Sequence, residues 1–287
     1  MLPGVGVVEG GFLNSVPHLS HLPDCPNNGH EFVLGNRDVS GIAKVTEGYR
    51  LLGQTEQLND VLIKLGLDYM ERALLSRDLR ERLHVFNSLE FMGFTNNLSV
   101  SEYGSAPSDT LARAMHARVA HYTRRRRHSI DIFSKLIVLW PMEWDNHWFL
   151  VVGLNLGEPN ATLFTLNSYG SCSEGAILQH IQAYLAIEYE TSRGCGSRPP
   201  AIRTHRTSPP QQTGGIDCGL FLLSYVEAIF SQFVAFSSLF GTDQASQRNW
   251  FPPVLPLDMR KSLAAQIRQL SEAQNIGITS WPELDLV

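Results

Sequence analysis

The sequence predicts an α+β domain. Three observations carry that expectation. Continuous β-branched and aromatic runs at 130–140, 148–154 and 161–166 read as buried strands. Segments with helical apolar spacing lie on either side of them, at 57–75, 110–123, 174–190 and 257–274. A further helix, apolar on nearly every side, begins after a glycine-loosened turn at Cys218.

Taken in order, residues 1–45 are rich in Gly, Pro, Asn and Ser and are expected to form an irregular N-terminal extension to a single domain over 46–287. His18, His21, Cys25 and His30 in that extension are zinc-capable types. Their spacing matches no standard finger and prolines interrupt it, so they read as a loop and no metal site is expected. In QLNDVLIKLGLDYMERALL (57–75), Leu58, Val61, Leu62, Leu65, Tyr69 and Leu74 recur at helical spacing, and Asn59 or Asp60 can cap the start. Residues 83–94 are apolar and fit either a strand or a short helix; 96–109 read as a loop. The helix over 110–123 ends in Arg124, Arg125, Arg126 and Arg127. Such a run can meet an anion or a nucleic acid, or act as an import signal. The reading adopted is a solvated helix end whose cations suit the dipole.

The strands over 130–140 and 148–154 are joined through a turn at 141–146. The strand at 161–166 follows a GEPN turn (157–160), as in an antiparallel hairpin. A helix over 174–190, a surface loop over 191–200 and an edge strand over 201–206 lead to QQTGGIDCG (211–219). Residues 237–256, with Pro252, Pro253 and Pro256, are expected to be loop-like before the last helix.

Composition narrows the function classes. The chain has 287 residues, 43% hydrophobic and 18% charged, with a net charge of −5. That balance gives no global drive toward nucleic acid or an anionic membrane. No apolar run approaches the ~20 residues that span a bilayer. The four cysteines, Cys25, Cys172, Cys195 and Cys218, show no disulfide-scaffold density, so free thiols in a reducing compartment are expected.

At the Cys218 turn, Asp217 is a good N-cap, and Cys218 falls where unpaired N–H groups and the helix dipole favour a negative charge. This setting is expected to lower the thiol pKa. A structural cysteine opening a core helix fits the same stretch. A nucleophilic cysteine also needs a base, something to orient the base, and donors for an oxyanion. His147 stands at a strand start. Asn167 ends the next strand, where antiparallel pairing would bring it beside His147. Gln212 lies across the glycine turn from Cys218, where its amide can donate alongside the Cys218 N–H.

His147-Trp148, Leu166-Asn167-Ser168 and QQTGGIDCG, in that order, resemble the SUMO-specific (sentrin-specific, Ulp-type) cysteine protease family, of the papain-like clan that includes the adenovirus protease. LNDVLIKLGLDYM (58–70), VFNSLEF (85–91), IDIFSKLIVLWPMEWDNHW (130–148) and DMRKSLAAQI (258–267) resemble further blocks of that family, so the likeness covers about residues 46–272. The resemblance implies a papain-like fold, with a central mixed sheet flanked by helices and the nucleophile at a buried helix N-terminus. It implies Cys218 as nucleophile, His147 as general base, Asn167 as the residue orienting it, Gln212 as oxyanion donor, and Trp148 over a narrow channel for a Gly-Gly tail.

The implied reaction is deconjugation or precursor maturation of SUMO or a related ubiquitin-like modifier. The implied protein is a monomer in the nucleus, the cytoplasm or both, with no cofactor and no nucleic-acid or membrane partner. Two positions depart from the family pattern. Asn167 stands where the family has Asp, and Gln57 where its WLND motif has Trp. These departures give the alternative, a weakened or inactive module of the same fold that binds the modifier.

Overall fold

The structure, a computed structural model, describes residues 46–53, 56–88, 107–124, 130–169, 174–205, 207–239, 251, 253–273 and 284. The N-terminal extension with its histidine cluster, and Arg125–Arg127, lie outside the described residues. Within them, helices α1 (Asp60–Leu74) and α2 (Arg77–Glu81) precede strand β1 (Leu83–Val85) and helix α3 (Asp109–Arg124). Strands β2 (Ile137–Trp144), β3 (His147–Leu154) and β4 (Thr162–Leu166) follow, then α4 (Glu174–Arg193) and β5 (Arg203–His205). Helices α5 (Cys218–Ser231), α6 (Phe233–Leu239) and α7 (Pro256–Ala273) complete the order.

The five strands form one mixed sheet in the order β1-β2-β3-β4-β5. The central hairpins β2-β3 and β3-β4 are antiparallel, and the edge strands β1 and β5 run parallel to their neighbours. Both faces are covered, which is why the strands read as unbroken apolar runs. Trp148, Leu150, Val152 and Leu154 of β3 pack into one core with α1, α5 and α7. Phe149 and Val151 point the other way, into a second core with Met115 of α3 and Ile181 of α4. The α+β expectation stands.

Two boundaries differ from the sequence reading. The strand assigned to 130–140 begins only at Ile137, because Asp131 turns the chain: its carboxylate accepts from the Phe133 N–H at 3.1 Å and opens a 3-10 turn over Ile132–Ser134. At its other end β2 continues through Pro141 to Trp144, and the hairpin turns on two residues, Asp145 (φ 52°) and Asn146 (φ 56°). Both take the left-handed conformation that Asp and Asn tolerate and that a two-residue hairpin needs. Pro141 was read as a turn signal. It fits in the strand because β1 ends at Val85, opposite Leu139, so a missing N–H beyond that point forfeits no ladder bond on the β1 side.

Helix α1 starts where its cap predicts: the Asn59 side chain accepts from the Leu62 N–H at 3.0 Å. It crosses α5 closely. A β-carbon on Gly66 would lie 2.9 Å from both Leu223 methyls, and one on Gly219 would lie 3.0 Å from Ile63 Cδ1 and Leu58 Cβ. Glycine at these two positions lets the α5 N-terminus seat against the start of α1. The residue after Cys218 is therefore glycine for a packing reason. After Ser231 the chain stays helical through α6, where a loop was expected from 237 onward; residues 240–250 lie outside the described set.

Candidate active site

Cys218 is the first residue of α5 and is buried, 1% exposed. The backbone N–H groups of Trp148, Gly219 and Cys218 itself are directed at its sulfur. Two of these are amides that a helix start leaves without partners. The third belongs to the peptide directly after His147, so the start of β3 meets the start of α5 at the thiol. The balance of forces on the thiol differs from the sequence expectation. Burial pushes the Cys218 thiol above its ordinary value, the three amides pull it down without cancelling that effect, and the nearby Asp217 carboxylate pushes it up further. Asp217 occupies the N-cap position but its side chain makes no capping bond. It turns instead to Arg260, with Oδ1 accepting from Nη2 at 2.8 Å.

His147 opens β3 and Asn167 directly follows β4. The β3-β4 register pairs Leu150 with Leu166, which brings the two strand ends together. Imidazole Nε2 lies 2.7 Å from Asn167 Oδ1. The same Oδ1 accepts from the Tyr169 backbone N–H at 2.9 Å. A backbone N–H only donates, so this atom is the amide oxygen, and the imidazole must donate to it from Nε2. That leaves the Nδ1 lone pair free to accept a proton. The ring is held between Phe149 and Tyr169, with centroids at 6.3 Å and 6.0 Å. Asn167 itself is 3% exposed.

Gln212 is fixed at three points. Its backbone N–H donates to the Ser168 carbonyl at 2.9 Å. Its Oε1 accepts from the Ser168 hydroxyl at 2.8 Å, and its Nε2 donates to the Gly214 carbonyl at 2.6 Å. The amide is thereby oriented with its donor end toward the glycine turn. Gln211 Nε2 donates to the Asn167 carbonyl at 2.8 Å, and Tyr225 of α5 donates to the Pro210 carbonyl at 2.6 Å. The loop carrying Gln212 is thus tied both to the strand end holding Asn167 and to the helix starting at Cys218.

The Trp148 indole is buried, with Nε1 donating to the Leu58 carbonyl at 2.8 Å. Gln57, the residue before Leu58, donates from Nε2 to the Gly215 carbonyl at 2.9 Å. Where the sequence comparison leads one to expect an aromatic wall, a side-chain amide joins the start of α1 to the cysteine turn.

The structure therefore joins His147 to Asn167, ties Gln212 to Ser168 and the glycine turn, and sets the Trp148 backbone N–H at the Cys218 thiol. It adds residues that the sequence reading passed over. Ser168 fixes the Gln212 amide, Gln211 and Tyr225 brace its loop, and Arg260 holds Asp217. Ser168 and Gln211 adjoin the recognised motifs and were within reach of the sequence. Arg260 was not, because an arginine in an amphipathic helix ordinarily faces solvent.

Comparison with known proteins follows from this geometry. Residues 56–244 match the model of the Ulp1 protease family, C-terminal catalytic domain. The chain is similar to the probable ubiquitin-like-specific protease 2B of Arabidopsis thaliana, 28% identical over 240 residues that cover 76% of this chain and 24% of that protein. It is similar to sentrin-specific protease 7 of Rattus norvegicus, 24% identical over 313 residues, covering 84% of this chain and 28% of that protein. The chain thus spans about a quarter of the length of these curated relatives. A crystal structure of a de-sumoylating protease shares the fold, with TM-score 0.57 at 17% identity over 80% of this chain and 90% of that one. With the catalytic-domain model matched over most of its length, the chain belongs to the Ulp1 protease family.

Proposed function

We propose that the protein is a cysteine-type isopeptidase and peptidase that cleaves after the C-terminal Gly-Gly of SUMO or a related ubiquitin-like modifier. The observation that carries this reading is the hydrogen bond from His147 Nε2 to Asn167 Oδ1, with the backbone N–H of the next residue, Trp148, bonded toward the buried Cys218 thiol. The family membership and the names of the sentrin-specific and ubiquitin-like-specific relatives support the modifier class.

The steps follow from the donors and acceptors. The resting thiol is protonated, since burial disfavours its anion. His147 Nδ1 takes the thiol proton as Sγ forms its bond to the carbonyl carbon of the terminal glycine. The resulting oxyanion accepts from the Cys218 N–H and from Gln212 Nε2. The imidazolium returns the proton to the lysine nitrogen of a conjugate, or to the amine of a precursor peptide, as the C–N bond breaks. Water, deprotonated by His147, then hydrolyses the thioester and frees the thiol. A closed space against Trp148 and Gln57 would select glycine, since a β-carbon there collides. One chain supplies every group, and the free thiol requires a reducing compartment such as the nucleus or cytoplasm.

A modifier ending in Gly-Gly vinyl sulfone tests the reading. A covalent adduct on the wild type that disappears in Cys218→Ala is expected. No adduct, or one that survives that substitution, overturns it. Asn167 in place of a carboxylate favours a second reading, a module that holds the modifier without cutting it. Measurable turnover of a modifier conjugate refutes that one.

A further inference from the structure

Arg260 is the fifth residue of α7, yet it is 1% exposed. A guanidinium is strongly disfavoured in such a place unless its donors are met. They are met by two parts of the chain far apart in sequence. Nη1 donates to the Leu51 carbonyl at 3.2 Å and the Gly53 carbonyl at 2.7 Å. Nη2 donates to the Glu56 carbonyl at 2.9 Å and to Asp217 Oδ1 at 2.8 Å. One buried cation thus fastens the strap that leads into α1 to the residue immediately before Cys218.

A second tie lies beside the first, from Gln57 Nε2 to the Gly215 carbonyl. Between them, the ties hold both ends of the 215–217 turn to Leu51, Gly53, Glu56 and Gln57 on the approach to α1. On its outer side the turn meets open space: a β-carbon on Gly214 or Gly215 would find no atom within 4 Å. Asp217 gives no capping bond to α5, so its side chain serves the strap and not the helix. Asp217 directly precedes Cys218, so the tie that holds it lies one peptide from the Cys218 and Gly219 N–H groups bonded toward the sulfur.

We propose that Arg260 is a positioning residue for the nucleophile, holding Asp217 so that the amides of Cys218 and Gly219 face the sulfur. This inference rests on the proposed protease reading for its turnover readout alone; its thiol readout stands without it.

The test uses Asp217, which is partly exposed and so tolerates change where Arg260→Met can fail to fold. Asp217→Asn keeps an acceptor for Arg260 and drops the charge; Asp217→Ala drops both. The Asp217 charge disfavours the thiolate, so charge loss alone would speed iodoacetamide alkylation of Cys218 at neutral pH in both variants. Lost positioning slows it in Asp217→Ala only.

Expected results are slower alkylation of Cys218 in Asp217→Ala than in wild type, and recovery in Asp217→Asn. Turnover of a modifier Gly-Gly aminomethylcoumarin substrate should lose about tenfold to a hundredfold in kcat in Asp217→Ala, with KM within about twofold, and regain most of that in Asp217→Asn. Arg260→Lys, with the charge but not the fork, should behave like Asp217→Ala. Equal behaviour of the alanine and asparagine variants overturns the proposal. A wild type that never turns over substrate, but whose alkylation separates the two variants, refutes the protease reading and keeps the Arg260 assignment. Turnover without that separation does the reverse.

Discussion

The oxygen of Asn167 accepts two bonds in a dry setting, from His147 Nε2 at 2.7 Å and from the Tyr169 N–H at 2.9 Å. Asn167→Ala deletes both. During catalysis the His147 bond is made to a cation, and a bond to a charged group contributes about 1.5–3 kcal/mol. At 1.36 kcal/mol per tenfold, its loss should cut kcat by about tenfold to a hundredfold. Asn167→Asp keeps the geometry and adds a charge. Two unit charges ~4 Å apart at an effective dielectric of ~20 attract by about 4 kcal/mol. Burying the new carboxylate consumes several kcal/mol of that, offset in part by the Tyr169 N–H, which already points at the site. A net gain of about 1–2 kcal/mol remains for the imidazolium, so turnover should rise about tenfold. Hydrolysis of a modifier Gly-Gly aminomethylcoumarin substrate, with thermal melts to confirm folding, measures both variants. An alanine variant within threefold of wild type, or an aspartate variant slower than it, would refute the role assigned to this oxygen.

The raised Cys218 thiol predicts that iodoacetamide alkylation of this residue, followed by peptide mass spectrometry, gains rate with pH beyond the range in which an ordinary cysteine has levelled off. Stability carries the same sign. A folded-state pKa above the unfolded one gives stabilisation present below the ordinary thiol range and lost as pH rises through it. Urea denaturation should therefore show wild type losing stability relative to Cys218→Ala on going to alkaline pH; parallel curves contradict this. Tyr225→Phe leaves the half-buried Pro210 carbonyl without its 2.6 Å donor and should cost about 0.5–1.5 kcal/mol by denaturation, with a smaller loss of turnover; an unchanged midpoint would discount the brace. Gly157→Ala should be more damaging to stability than an ordinary surface substitution, about 1–3 kcal/mol or more, because its β-carbon would lie 2.3 Å from the Phe133 carbonyl oxygen; wild-type melting would show that the β3-β4 connection can shift.

What the sequence disclosed and what it hid divide along a physical line. The strands were legible because a sheet covered on both faces makes every position apolar, as Val138, Leu139 and Trp140 show. The pairing of His147 with Asn167 was legible because antiparallel strands bring one start beside the next end. The turn was drawn too wide, at 141–146 where only Asp145 and Asn146 turn, because Pro141 is a strong local signal, and only the end of β1 opposite Leu139 makes that proline harmless. The state of the thiol was misjudged for a deeper reason. A helix start and its amides are local and can be read from DCG; burial under β3 and α1 is a tertiary effect, and it is the larger.

That reversal bears on how the site must work. Burial raises the Cys218 thiol and the proposed base has a neutral amide as its partner, so in the proposed mechanism proton transfer accompanies attack. Catalysis then depends on having the proton acceptor and the oxyanion donors already in place. The Asn167 oxygen is doubly bonded, the Gln212 amide is held at three points and the Cys218 turn is tied to the approach to α1. In such a site the geometry supplied by Arg260 and Gln57 matters more than it would beside a preformed thiolate. Restoring a charge at Asn167 should accordingly lessen the penalty for disturbing either tie, a coupling that an Asn167→Asp/Asp217→Ala double-mutant cycle measures directly.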